Sequence, residues 1–199
     1  MLKKDYLKFN PLYFMRIFLF VFIFCFSITE PISAQTNTVA TILDKKNGFK
    51  EFKFGDSFYL WGKKLKYSHT EKEIKFYTYI GTCCETVFNV DLEKIQIGFF
   101  NKKIARIVLF TEVSVNYKFP YPSADYKTIK TNFQNLFKVF PNDYKGDKIF
   151  GWFCAWRGEN LGLNLVNEFL QLKKIGNEYK RTSFCKITIG YLINSIDDF

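Results

Sequence analysis

Apolar positions change period several times along the chain, and each change marks an element. Residues 74–80 are β-branched and aromatic and end at Gly81. Further on, Ile95, Ile97 and Phe99 alternate with Gln96, Gly98 and Phe100; Asn101-Lys-Lys103 turns the chain, and 104–113 returns. Two period-two runs around a short polar turn with Asn predict a β-hairpin. After Phe119-Pro-Tyr-Pro122 the spacing becomes helical. Tyr126, Ile129, Phe133, Leu136, Phe137 and Phe140 form one stripe, with Lys127, Lys130, Asn135 and Lys138 opposite. Ser123 is placed to cap this helix, Asp125 suits its N-terminal dipole, and Pro141 stops it.

The flanking segments carry weaker patterns. Phe52 and Phe54 make 49–54 a short first strand closed by Gly55. Asp56 or Ser57 then caps a helix with Phe58, Trp61 and Leu65 at helical spacing, weakened by Gly62. Three strands follow the long helix: 149–156, a turn at Arg157-Gly-Glu-Asn160, 161–170, a charged loop over 173–181, and 184–193. The order is a helix and three strands, used twice, with half-repeats at 50–113 and 121–193. The expected fold is α+β, with two helices packed on an antiparallel sheet of about six strands, so that each apolar stripe meets an apolar face.

The N-terminus has its own signature. Lys3, Lys4, Lys8 and Arg16 precede an apolar run over 17–26, broken by Thr29-Glu-Pro31, with Ile32-Ser-Ala34 before Gln35. A basic start, a short apolar run and a small residue at the cut predict a secretory signal over 1–34, cleaved between Ala34 and Gln35. The run falls short of the roughly 20 apolar residues that span a bilayer. Processing leaves a polar lead-in, 35–48, and one domain, 49–199, exported to a periplasm or secreted.

Charge adds little specificity. Removing the signal's four bases and two acids from the chain's 29 and 19 leaves +8, carried mainly by scattered lysines. Such scatter reads first as a solvated surface rather than a nucleic-acid patch, and no specific nucleic acid is expected. Four cysteines remain: Cys83, Cys84, Cys154 and Cys185. An even count in an exported chain is compatible with disulfides. In a meander, Cys154 and Cys185 would lie about 9.5 Å apart across a middle strand, beyond the ~7 Å reach of a bridge. Any bridge is therefore expected to link Cys83 or Cys84 to the second half.

Asn47-Gly-Phe-Lys-Glu-Phe-Lys-Phe-Gly-Asp-Ser57, followed by a helix and a meander, resembles the opening of small exported helix-plus-sheet domains. These are the β-lactamase-inhibitor-protein-like and SmpA/OmlA outer-membrane-assembly families, in which Gly-x-Ser/Thr introduces the helix. The matching letters are Gly55 to Ser57; Leu65-Lys-Tyr-Ser68 stands where those families carry Leu-Gly-x-Pro. The resemblance implies an architecture and, since those families mostly bind proteins, a binding role.

The chain offers little catalytic chemistry. Its one histidine, His69, lies between polar residues in what reads as a loop. No nucleophile elbow, zinc-protease helix, phosphate loop or calcium loop occurs. No metal or other cofactor is expected: adjacent Cys83-Cys84, with the other cysteines about 70 and 100 residues away, lack zinc-ligand spacing. Cys83 or Cys84 with His69, or the carboxylates Glu71, Glu73, Asp197 and Asp198, leave a small secreted hydrolase as one alternative. On strand 149–156, Phe150, Trp152, Cys154 and Trp156 share one face and Phe153 and Ala155 the other. An open row including Trp152 and Trp156 could stack ligands; buried, it is core. The leading expectation is a non-enzymatic protein- or ligand-binding or inhibitory module using an exposed sheet face. Adhesion to anionic cell-surface polymer is the other alternative.

Overall fold

The computed structural model describes residues 42–116, 122–144, 151–175 and 178–192, all within one compact unit, Gln35–Phe199. The expected signal (1–34) and most of the lead-in lie outside the described residues. No helix of the described residues is long and apolar enough to cross a membrane.

The fold is α+β and mostly antiparallel sheet. Eight strands lie in the order β3 (Leu65–Glu71), β4 (Ile74–Tyr79), β6 (Val90–Phe100), β7 (Lys103–Thr111), β12 (Glu178–Tyr191), β11 (Leu161–Ile175), β10 (Trp152–Arg157) and β9 (Asn142–Tyr144). Two short strands extend it: β5 (Thr86–Val87) beside β6, and β8 (Ser114–Asn116) beside β12 beyond the end of β7. The order is palindromic. Each half runs outside-in or inside-out as a four-strand meander, and the last strands, β7 and β12, pair at the centre. About six strands were expected, three per half; β3, β9 and the short β5 and β8 were missed.

Register assigns each side chain to a face. One row across the sheet is Tyr77, Ile97, Ile107, Ile189, Leu163 and Trp156; the next is Ile95, Leu109, Ile187, Leu165 and Cys154. Nearly all of these are buried, because this face carries the helices. The long helix Ala124–Phe137 is capped by Ser123, whose hydroxyl accepts from the Tyr126 N–H, and it buries Tyr126, Ile129, Phe133 and Phe137. Lys138 in the left-handed region (φ 59°) ends it, leaving Phe140 exposed. Below its N-terminus, Asn167 is fully buried and its Oδ1 accepts from the Ser123 N–H (2.8 Å) and hydroxyl (2.6 Å).

Three local readings change. The 49–54 strand is instead a tight ribbon, β1 (Gly48–Phe49) on β2 (Phe52–Lys53), because Lys50 at φ 51° reverses the chain. The helix after Ser57 lasts only Phe58–Trp61; a 3-10 turn over Gly62–Lys64 unwinds it, and Leu65 begins β3. The charged stretch near 173–181 belongs largely to strands, with Lys173 facing Lys180 and Lys174 facing Tyr179 in an extended ribbon. The turn of the expected hairpin is as read: Asn101 (φ 46°) and Lys102 (φ 62°) both take the left-handed conformation that a two-residue hairpin turn requires.

Candidate functional site

The helix-bearing face has unequal cover. Over the second half lies the long helix. Over the first half, the short helix buries no residue of its own, and the ribbon does more of the covering. Fully buried Phe52 from β2 packs against Trp61 (ring centroids 4.7 Å) and Tyr79 (5.0 Å), while Phe58 meets Phe99 (5.2 Å) and Tyr77 (5.0 Å).

Between these covers runs a cleft of about 560 Å³. Its apolar lining comes from Leu43, Val87, Phe133, Phe137, Leu163 and Ile189, each buried, with Phe88 and Leu136 half-buried beside them. Four lysines, Lys45, Lys46, Lys50 and Lys53, also line it, and all four are exposed. Among the described residues no acid, histidine or cysteine does. A volume of this size falls within the range of small-molecule sites, roughly 300–1,000 Å³.

The walls are held by identifiable bonds. Residues 42–46 are helical, and the Asp44 carboxylate reaches the β10–β11 turn. It accepts from the backbone N–H of Glu159 (3.1 Å), Asn160 (3.4 Å) and Leu161 (3.1 Å). At the far side, Phe88 and Asn89 turn the chain between β5 and β6 with φ of 50° and 63°, and Phe88 packs edge-on to Phe133 (4.8 Å). The ribbon is tied back by the Phe54 N–H donating to the Asn47 carbonyl (3.0 Å).

The residues singled out from sequence fall elsewhere. Trp156 is 3% exposed and lies under the long helix, 5.5 Å from the Phe133 ring and 5.7 Å from Phe137. Trp152 is half-buried against the same core. Their row is therefore the covered face, and the aromatic binding surface expected there is corrected to core. Phe150 lies outside the described residues. The opposite face carries a second, smaller cluster of Ile74, Phe76 and Val108, with Phe100 and Phe110 packed against it.

Cys83, Cys84 and Cys185 are free thiols. Cys154 on β10 and Cys185 on β12 are separated by β11, the meander that puts a bridge out of reach. Burial pushes the Cys185 thiol up to about 12. Cys84 is pushed up to about 11, first by burial and then by its hydrogen bond with Cys83. Tyr79 rises to about 12, chiefly because its hydroxyl is hydrogen-bonded to Cys83 Sγ at 3.2 Å. A thiol raised in this way is a poorer nucleophile at neutral pH, since the thiolate is the reactive form.

His69 is not in a loop but exposed on edge strand β3, stacked on Phe76 (4.8 Å, 6° between planes) with Nδ1 3.1 Å from Ser68 Oγ. Among the described residues no carboxylate and no cysteine contacts it. Glu71 and Glu73 do not share a strand face: Lys72 (φ 53°) turns the chain between them. Glu73 lines a smaller hollow of about 430 Å³ with Phe58, Tyr59, Lys75, Tyr77 and Lys102, and no second acid joins it. Asp197 and Asp198 lie outside the described residues. Among the described residues no group of three or more His, Cys, Asp or Glu could hold a metal ion.

The cleft had no signature in the sequence. Its lining comes from the 43–53 segment, the β5–β6 turn, the long helix and two central strands. The spacing of any one segment reports only that it has an apolar side. Compared with protein-family models, curated proteins and solved structures, the chain matches none.

Proposed function

We propose that this chain is an exported, non-enzymatic binding module whose ligand sits in the cleft between the ribbon and the long helix. The observation that carries this reading is the lining itself: buried apolar side chains beneath four exposed lysines, with no acid, histidine or cysteine among them. Apolar concavities with a few polar groups at the mouth bind small molecules. The expected use of an open sheet face by Trp152 and Trp156 gives way to this helix-side site. Export rests on the N-terminal pattern of Lys3, Lys4, Lys8 and Arg16 before an apolar run and Ile32-Ser-Ala34. The palindromic strand order supports reading the halves as one helix-plus-meander unit used twice.

The hydrolase reading has less support. Cys84 is buried with a raised thiol pKa, and among the described residues His69 has no orienting carboxylate and Glu73 no acidic partner across its hollow.

The test is fluorescence of an environment-sensitive apolar dye bound to the purified chain. Leu136→Trp, which adds bulk at the half-buried edge of the cleft, should abolish the signal while circular dichroism stays unchanged. His69→Ala, Glu73→Gln and Cys84→Ser should leave it within twofold. Unchanged dye binding in Leu136→Trp would overturn the site. Terminal sequencing of exported protein should begin at Gln35; an intact Met1 form alone would overturn processing.

A further inference from the structure

The cleft's charge narrows its ligand further. Lys45, Lys46, Lys50 and Lys53 border it, and no ion pair among the described residues engages any of them. The Lys53 ammonium donates to the Lys46 backbone carbonyl at 3.3 Å, which holds it at this border. The Lys50 ammonium lies 5.5 Å over the Phe49 ring, at the same border. Four exposed lysines on one rim make the mouth of the cleft electropositive, which favours an anion there. All four are lysine and none is arginine. Lysine presents a hydrated point charge, without the planar fork that captures a buried carboxylate or phosphate bidentately. Such a rim suits a head group that stays in water while its apolar part enters the cleft.

The interior is aliphatic and aromatic: Leu43, Val87, Phe133, Phe137, Leu163 and Ile189. Resting on the cleft reading above, we infer that the ligand is a fatty acid, its alkyl chain in the cleft and its carboxylate at the lysine rim. The division of labour follows from the residues. Chain burial supplies most of the affinity, at about fourfold per methylene placed in the cleft. The lysines select sign of charge and fix which end enters, and their contribution weakens as salt rises because they are exposed.

The experiment is calorimetric titration of the purified chain with octanoate, decanoate and laurate, then with lauryl alcohol and dodecyltrimethylammonium as uncharged and cationic probes of similar length. Expected are affinities rising at least several-fold with each added pair of methylenes. Laurate should bind at least tenfold tighter than lauryl alcohol at low salt, and the cationic probe weakest. The double variant Lys46→Glu/Lys50→Glu should lose tenfold or more for laurate and less than twofold for lauryl alcohol; both residues are exposed, so the fold should survive. Equal binding of laurate and lauryl alcohol, indifferent to the double variant but lost in Leu136→Trp, would overturn the fatty-acid assignment and leave the cleft as the site. Binding of no probe, or binding that Leu136→Trp does not weaken, would overturn both.

Discussion

The two halves of the sheet reach mirror-image strand orders and cover them by different means. In the second half one long helix does the work: Tyr126, Ile129, Phe133 and Phe137 form a continuous buried stripe. Its N-cap Ser123 is bonded both to Tyr126 and to buried Asn167 below. In the first half the corresponding helix has one turn, contributes only the half-buried rings of Phe58 and Trp61, and is unwound at Gly62. Fully buried Phe52 of the ribbon supplies the rest of the cover, packing with the helix's Trp61 and with Tyr79, while Phe58 meets Tyr77 and Phe99, at 4.7–5.2 Å between ring centroids. Each half must shield one apolar sheet face from water, and either device does so. Unlike devices do not meet flush, and the cleft is the seam between them.

The largest expected difference lies in the helices themselves. Phe137→Ala empties a 2%-exposed position and should cost about 3–5 kcal/mol, whereas Leu60→Ala, at a side chain 71% exposed in the short helix, should stay within about 0.5 kcal/mol. Urea midpoints of the two variants read this directly, and equal losses would mean that the short helix covers more than its burial indicates. Capping comes next. Ser123→Ala removes both the cap and the bond to Asn167, for about 2 kcal/mol. Ser57→Ala removes only a 3.4 Å exposed cap and should cost about 0.5 kcal/mol or less.

The smallest effect at neutral pH is that of the titrating groups, which both halves carry. Cys185 holds its proton in the fold up to about 12, against an ordinary value of 9.0. Above 9 the unfolded chain is the state that has lost protons, so unfolding becomes easier. Stability from this thiol is complete below pH 9 and is lost as pH climbs toward 12. Cys84 and Tyr79 in the first half act in the same direction. Cys185→Ala should flatten the alkaline slope measured by denaturant titration at several pH values; an unchanged slope would place the titrating group elsewhere. Thiol labelling at pH 8 should be fastest at half-buried Cys83 and negligible at Cys154 and Cys185 until the sheet opens.

How legible these regions were follows from what each segment must bury. The long helix declared itself because one stripe faces core and the other water, so the period of Tyr126, Ile129 and Phe133 survives in the letters. The hairpin of β6 and β7 did so for the same reason at period two. Residues around 173–181 read as a loop because lysines and other polar residues dominate the segment, whereas its strands are set by pairing across the ribbon. Alternation correctly put Trp152, Cys154 and Trp156 together, but which face a helix covers is decided by elements far away in sequence. Gly62 signalled a weak helix, yet one turn followed at once by a strand reflects sheet pairing of β3 with β4, a tertiary gain that local propensity does not carry. The cleft was illegible for the most general reason: its lysines are surface residues anywhere else, and only the turn at Lys50 and the bonds from Asp44 bring that segment against the sheet.

The seam is tested most directly by methyl-resolved NMR of the purified chain during titration with laurate. Shifts should concentrate at Leu43, Val87, Leu136, Leu163 and Ile189, with Ile74 and Val108 on the opposite face unmoved. Shifts centred on Ile74 and Val108 instead, or saturation with no change at Leu163 and Ile189, would contradict a ligand site between the two covers.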